Sequence, residues 1–498
     1  MTTRTDSAIW SGLFTISPDS GQTLQAQIRQ AIVAAILDRQ IAASMPLPSC
    51  RILAEKLGVA RGTVVLAFQQ LVDQGFLVAR ERRGHFVNPD VLTTPTKPLA
   101  RQDNNAPGGL DWKARRRINA TDMPPPMKME NWIKSSYPFI YGQFDPGLFP
   151  TAEWRECNRM ALAVLEIRNW AADMVDRDDP LLIEQIQARL LPRRGIFANP
   201  DEIIVTLGAQ HAIYMLATLL MTKGSRVAME NPGYPDARSI FRLAGAEIDP
   251  VRVDSEGIVT REIPSNSNFV FVTPSHHCPT MVPLSEVRRR ELLEIASRND
   301  QIIIEDGYDS QLIDEAPQQA LKSLDRTGRV IHVGSMSKTL APGLRLGYIV
   351  ASADLIAELR ALRRFMLRHP PANNQRAVAL FLSLGHHDAL VRKLSTAFAE
   401  RRKRLVSAIS AFLPDWNATD SAGGTSVWLE GPQGTDSEKL SEAAATRSVL
   451  IEPGARFFDG QSPPRRFVRL GISSIAVQHI EPGIRELATA IGRRPAAA

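Results

Sequence analysis

Cysteine is scarce in this sequence: three among 498 residues, at positions 50, 157 and 278, with no Cys-x-x-Cys pair. That excludes a disulfide framework and a zinc site built on paired thiolates. Long apolar runs are missing as well. The greasiest stretch, near Ile213–Met221, carries a threonine and falls short of the roughly 18–20 residues a membrane helix needs, so no membrane partner is expected. The opening residues, MTTRTDSAIWSGLF, lack a basic start, an apolar run and a small-residue cleavage site, and a cytoplasmic location is the expectation. Net charge is modest: 59 basic against 53 acidic residues gives +6, too little over this length to mark a nucleic-acid binder without local clustering. What is present is ordinary for a globular chain, 44% hydrophobic and 22% charged, which rules out global disorder. The length predicts two to four domains at roughly 100–200 residues each.

Composition divides the chain into a head, residues 1–88, a linker, 89–126, and a body, 127–498. In the head, Ile28, Ala31, Ile32, Ala35 and Ile36 recur at helical spacing. Pro46 and Pro48 punctuate the chain, Ser49 can cap a short helix ending at Leu57, and Gly58 supplies its turn. A third helix buries Val64, Ala67, Phe68 and Leu71, with Gly75 just past its end. FLVARERRGHFV then reads as two short strands around Gly84. Three helices and a small hairpin are the order of a winged helix-turn-helix. The linker holds TTPTKP, DNNAPGG and MPPP without apolar periodicity. Its basic run Arg115–Arg117 reads as a solvated segment. In the body, EIIVT precedes a helix from about Ala209 to Leu220, and RVAME precedes another around Asp236–Ala244. NFVFVT, IIIED, VIHVG and LRLGYIVA continue as continuous apolar strands separated by helical material. That pattern argues a mainly parallel sheet covered on both faces, an α/β architecture.

The head carries the chemistry of a DNA reader. Its third helix starts at Arg61 with Thr63 in the first turn, where backbone N–H groups and side chains reach phosphates or base edges. Arg51, on the preceding helix, is placed to cross the backbone. Arg80, Arg82 and Arg83 crowd a wing whose tip, Gly84, is narrow enough for a minor groove. The run LPSCRILAEKLGVARGTVVLAFQQLVDQGFL closely resembles the GntR-type winged helix, with Ser49, Arg51, Arg61, Thr63 and Gly75 in matching positions. Ala60 departs from it, standing where a capping serine is usual, at a cost of about 1 kcal/mol.

The body carries the pattern of a pyridoxal-phosphate site. In GSMSKTLAPGLRLGY, Lys338 follows a strand among Ser335, Ser337 and Thr339, with Arg345 seven residues on. A Schiff-base lysine needs a nearby phosphate site, and hydroxyls with an arginine suit a phosphate dianion. Asp306 closes the apolar run IIIE, where it can keep a pyridine nitrogen protonated. Tyr308, two residues on, can donate to a phenolic oxygen. Gly208, Ala209 and Gln210 form a strand-to-helix cradle for phosphate, and Tyr234 in NPGYP offers an aromatic lid. Each feature alone is weak. Their joint order, and the SxSKTxxPxxRxGY segment, are similar to fold-type I aminotransferases.

A GntR-like head joined by a long linker to such a body resembles the MocR family of bacterial regulators over the whole chain. The resemblance implies a multidomain fold: a winged helix-turn-helix, then a fold-type I body with a smaller C-terminal α+β subdomain. It implies pyridoxal 5'-phosphate at Lys338, a double-stranded DNA operator, a small amino-compound effector and a head-to-tail homodimer. It assigns Arg469, in FVRLGI, as the grip for an effector acid group. Where catalytic aminotransferases carry Asn-Pro-Thr-Gly, this chain has Cys278-Pro279-Thr280-Met281, so a sensor rather than an enzyme is expected. His277 is a candidate pocket-lining residue, with a turn-stabilising role as its competitor, and His276 with His277 gives no metal site because adjacent residues of an extended segment point to opposite sides and a third ligand is missing. The expected mode is a cytoplasmic, dimeric repressor in which an effector amine displaces Lys338 to form an external aldimine. A working aminotransferase with an accessory head is the alternative. A constitutive DNA-binding protein that has lost the cofactor is a third, disfavoured by the intact lysine, aspartate and arginine. YPFIYGQFDPGLFPTAEWREC and SHHCPT resemble the branch that regulates use of ectoines or taurine, which points to an ectoine-derived diamino acid, with taurine close behind.

Overall fold

The computed structural model describes residues 22–38, 40–42, 45–81, 83–92, 111–116, 118–124, 132–308, 319–419 and 423–492. The chain divides between Arg115 and Arg116 into two compact units, inside the stretch expected as a linker. Within that stretch the described residues form only short helical turns, Pro89–Leu92, Trp112–Arg115 and Ala120–Asp122. Arg117 of its basic run, and Arg82 of the wing, lie outside the described residues.

The first unit holds helices α1 (Leu24–Leu37), α2 (Cys50–Leu57) and α3 (Arg61–Asp73), then a hairpin of β1 (Leu77–Arg80) and β2 (Gly84–Val87). Thr23 and Ser49 cap α1 and α2 through their side-chain oxygens. Gly58 ends α2 in the left-handed conformation (φ 63°), which a residue without a Cβ adopts most easily. Ile28, Ile32, Leu53, Val64, Phe68 and Leu71 form one buried core beneath the hairpin. Pro46 makes an isolated antiparallel bridge to Phe86 of the hairpin.

The second unit is built on an eight-stranded sheet: β3 (Ile203–Thr206), β4 (Arg226–Asn231), β5 (Glu247–Asp254), β6 (Gly257–Ile258), β7 (Phe269–Val272), β8 (Ile302–Asp306), β9 (Val330–Ser335) and β10 (Gly347–Val350). Their spatial order is β3-β10-β9-β8-β7-β4-β5-β6. The pairs β9–β8, β8–β7, β7–β4 and β4–β5 are parallel, while β10 runs antiparallel to both neighbours and β6 to β5. Because β10 is reversed against both β9 and β3, the carboxyl ends of β3, β9, β8, β7 and β4 all emerge at one edge. Strand side chains alternate between faces. Phe271, Ile304, Ile331 and Ile349 pack with Ile213 and Leu216 of α4 (Ala209–Leu220) and Phe241 of α5 (Pro235–Leu243). Val270, Ile303 and Val330 pack on the other face with Leu292 and Ala296 of α6 (Glu286–Arg298). Removing one such side chain, as in Phe271→Ala, costs about 3–5 kcal/mol. A four-stranded antiparallel sheet, β11 (Asn417–Ala418), β12 (Ser426–Glu430), β13 (Glu452–Pro453) and β14 (Phe467–Gly471), ordered β11-β12-β14-β13, forms the smaller α+β part with α7 (His386–Phe412) and α8 (Val477–Ala490).

Candidate functional site

The shared carboxyl edge of the large sheet opens onto a cavity of about 310 Å³. Lys338, Asp306, Tyr308, Arg345, Ser335, Ser337, Gly208, Ala209, Gln210, Tyr234 and Arg469 all line it. Asp306 ends β8 in register with Val333 of β9, and Lys338 follows β9 in a turn, so neighbouring strands bring carboxyl and amine to one place. Burial pushes the Asp306 carboxyl up to about 7, against the pull of the Lys338 charge and the backbone N–H of Tyr308. Its Oδ1 is buried without a hydrogen-bond partner. The Lys338 amine lies 4.2 Å from the ring centroid of Tyr141. A Cβ at Gly142 would come within 2.9 Å of that amine, and Gly142 has φ +80°, so glycine there keeps the lysine's space open.

At the other end, Gly208 (φ +80°) turns β3 into α4. Arg345 donates to the Leu207 carbonyl at 3.1 Å and stands against Gly208, where a Cβ would meet its Nη2 at 3.3 Å. A Cβ on Gly347 would lie 2.9 Å from the Gly208 Cα, so this glycine of β10 admits the close approach of the turn. Helix N–H groups and a guanidinium thereby meet at one corner, the donor set a phosphate requires. Ser337 is partly committed, since its hydroxyl accepts from Leu346 N at 3.2 Å. Gln210 leans towards Asp236, 3.4 Å away. The Tyr308 hydroxyl donates to the His276 carbonyl at 2.9 Å.

The far wall is aromatic and charged. Arg469 on β14 is 7% exposed, its Nε donating to Glu452 Oε2 at 2.5 Å and its Nη1 3.8 Å from Cys278 Sγ. Its guanidinium lies against Tyr141 at 4.2 Å and Phe457 at 4.6 Å. Burial opposes its charge, but Glu452 and the Cys278 side hold its pKa above the ordinary value. Burial drives the Cys278 thiol up to about 11, so it stays protonated.

His277 is the exception among the candidates. It does not line the cavity. Residues 278–280 form a turn, closed by Met281 N donating to the His277 carbonyl at 2.7 Å, rather than the extended segment assumed from the sequence. The buried His277 ring has Nε2 3.0 Å from the Pro232 carbonyl and Nδ1 2.7 Å from Thr280 Oγ1. Since a carbonyl only accepts, Nε2 carries the proton and Nδ1 accepts from the threonine. Burial pushes this imidazole down to about 3. It stabilises the turn, and Cys278 takes the wall position. Sequence reasoning missed Tyr141, Gly142, Glu452, Arg456 and Phe457, all of which line the cavity. The pair Tyr141-Gly142 was a local signal, an aromatic followed by a conformationally free residue.

A second buried carboxylate sits beside Asp306 and faces away from the cavity. Glu305 accepts from Leu321 N at 2.8 Å and Lys322 N at 3.1 Å, with His332 Nδ1 at 3.1 Å. Burial opposes its charge, yet His332, Arg194 and those N–H groups hold it at about 2. Among the described residues no cluster of three or more His, Cys, Asp or Glu could hold a metal ion, and no helix is long and apolar enough to cross a membrane.

In the first unit, Arg51 and Arg61 are exposed and Thr63 is half-buried. The Ser49 hydroxyl accepts from Ile52 N at 3.3 Å, so it serves the α2 cap. Ala60 begins α3 without a side-chain cap. Gly84 (φ +93°) opens β2, and Arg80 lies 4.7 Å from the Phe86 ring centroid.

Fold and cavity together define a class: a fold-type I, pyridoxal-phosphate-binding aminotransferase body behind a winged helix. The body matches the family Aminotransferase class I and II over residues 153–484, and the head matches Bacterial regulatory proteins, gntR family, over residues 24–87. The chain is 43% identical to the HTH-type transcriptional regulator TauR of Rhodobacter capsulatus, over 96% of this chain and 98% of that one. It is 29% identical to the probable rhizopine catabolism regulatory protein MocR of Rhizobium meliloti, over 96% of each. Among solved structures, an archaeal alanine:glyoxylate aminotransferase superposes with a TM-score of 0.70 at 25% identity, covering 76% of this chain and 98% of that one. The α-aminoadipate aminotransferase LysN of Thermus thermophilus, complexed with N-(5'-phosphopyridoxyl)-L-leucine, gives 0.70 at 25% identity, covering 77% and 98%. The chain belongs to the MocR family of HTH-type transcriptional regulators, and pyridoxal 5'-phosphate is the cofactor of its body.

Proposed function

We propose that the body senses a small amine-bearing metabolite and passes its presence to the DNA-binding head, acting as a sensor rather than as a working enzyme. The observation that carries this reading is the buried, unpartnered Oδ1 of Asp306 in one cavity with the Lys338 amine. A buried acceptor without a partner costs about 1–3 kcal/mol, which a protonated ring nitrogen would relieve. Lys338, Asp306 and Tyr308 would hold the cofactor's reactive face. Arg345, Ser335, Ser337, Gly208, Ala209 and Gln210 would hold its phosphate, and Tyr234 would cover its ring. When bound, the cofactor supplies an electron-poor aldehyde carbon that joins covalently to a primary amine. Lys338 would be the resident amine there, and Arg469 would take the effector's acid group.

Cys278 supports the sensor role. A buried protonated thiol is a weak hydrogen-bonding group where a catalytic body has an asparagine. In the head, Arg51, Arg61, Thr63, Arg82 and Gly84 would face the operator, with Ser49 fixing the helix that carries Arg51. The reading takes residues 1–88 as the DNA-binding part, 89–126 as a linker and 127–498 as the effector-binding part of a cytoplasmic head-to-tail homodimer. Ectoine-derived diamino acids and taurine are its candidate effectors.

The test is a titration of purified cofactor-loaded protein with amino acids, diamino acids and taurine, following cofactor absorbance, operator affinity and keto-acid release together. The reading expects a spectral change and altered operator affinity with no keto acid. Stoichiometric conversion of the amine to a keto acid within seconds would make the body a working aminotransferase with an accessory head.

A further inference from the structure

Arg469 and Glu452 are direct cross-strand partners in the β13–β14 pairing, both on the cavity lining. The guanidinium is held on several sides: Nε by Glu452, Nη1 beside the Cys278 thiol, and its faces against Tyr141 and Phe457. Among the described residues Nη2 has no hydrogen-bond partner, so one edge is left for an anion. The carboxylate beside it is equally part of the wall. Glu452 is buried, and only its Oε2 meets a described partner. An effector gripped by Arg469 therefore docks within reach of a fixed negative charge. Arg456 lines the same cavity, but among the described residues Glu452 is the carboxylate bonded to Arg469. A second acid group would crowd Glu452 in a site of low dielectric, where like charges repel far more than in water.

We propose that Glu452 is a specificity-determining residue that restricts the effector to primary amines with one acid group and excludes amino dicarboxylates. This rests on the sensing reading above and names the ligand class of that same site. The substitution that tests it is Glu452→Gln, which keeps an acceptor oxygen for Arg469 Nε and removes only the charge.

The probes are taurine, L-2,4-diaminobutyrate and L-glutamate, titrated into cofactor-loaded wild type and E452Q, with cofactor absorbance and binding heat as readouts and thermal melting as the check on folding. Wild type is expected to respond to one or both of the first two and to bind L-glutamate at least tenfold more weakly. E452Q is expected to shift the affinity ratio towards L-glutamate on the order of tenfold. A ratio unchanged in E452Q, or equal loss for all three amines, overturns the inference and leaves Glu452 as a positioning residue for Arg469. Should E452Q fail to fold, Glu452→Asp, which keeps the charge but retracts it, is expected to retain the wild-type ranking, and a ranking reversed in favour of L-glutamate overturns the inference. Wild type responding to none of the three overturns the sensing reading itself, and this inference with it.

Discussion

Lys338 and Arg469 meet at one ring: each places its positive charge 4.2 Å from the centroid of Tyr141. The residue proposed to take the cofactor and the residue proposed to face the effector's acid group are thus tied to a common aromatic surface. Tyr141→Phe keeps that surface and is expected to leave effector affinity close to wild type. Tyr141→Ala removes it and is expected to weaken affinity about three- to thirtyfold, the range of one or two cation–π contacts. Spectral titration of both variants with the same amine checks this, and equal loss in both would assign the effect to the hydroxyl instead.

Lys338→Ala is expected to abolish the borohydride-reducible bond between protein and cofactor while the head stays folded. Lys338 is the lysine on the cavity lining. Mass measurement after reduction decides the matter, and an adduct of unchanged yield would move the attachment to another residue.

Arg61→Ala and Arg51→Ala are expected to weaken operator binding without changing cofactor content. Both side chains are exposed, one opening α3 and the other on α2. A good base contact contributes about 1–3 kcal/mol, and loss of a phosphate contact flattens the salt dependence. Operator affinity measured across salt concentrations separates the two roles, whereas wild-type affinity in both variants would direct attention to another helix.

Asp306 gives a pH prediction. Its folded carboxyl sits at about 7 against an ordinary 3.8, so the folded cofactor-free protein holds this proton where the unfolded chain has lost it. The contribution to stability is fully present below about pH 4 and is lost as pH rises towards about 7. Asp306→Asn removes that loss. In cofactor-free protein the variant is expected to melt higher than wild type at pH 8, by up to about 4 kcal/mol in stability, and no higher at pH 4. The same substitution should weaken cofactor binding. Melting curves at the two pH values check the sign, and a stabilisation larger at pH 4 would contradict it.

Most of the site was legible because its residues lie where short-range patterns end. Asp306 closes an apolar run, Lys338 follows another, and Gly208 stands at a strand-to-helix turn. Such signals survive without knowledge of what packs against them. The far wall was not legible for the opposite reason. Tyr141, Glu452 and Phe457 reach the cavity only because the small sheet and the segment ahead of α4 fold against the large one, and nothing local marks Glu452 as the partner of Arg469. His277 shows a third case. Strand-like alternation was assumed for its segment, but the backbone bond from Met281 closes a turn that buries the imidazole. In the head, helical spacing and Gly58 marked the elements closely, because three short helices around one core leave few alternatives.

Glu305 and Asp306 are successive residues on one strand, yet they belong to different economies of selection. Glu305 is tied into the framework by Leu321, Lys322 and His332, so its replacement strands buried donors and threatens the whole body. Asp306 has one oxygen with no protein partner, so its replacement breaks fewer framework bonds than that of Glu305 and is expected to bear first on the cofactor. A lineage could therefore retire the cofactor by a single substitution at 306 and keep an intact fold to recruit for another ligand, whereas a change one position earlier closes that route. The strand separates, at a distance of one residue, what this architecture can lose from what it cannot.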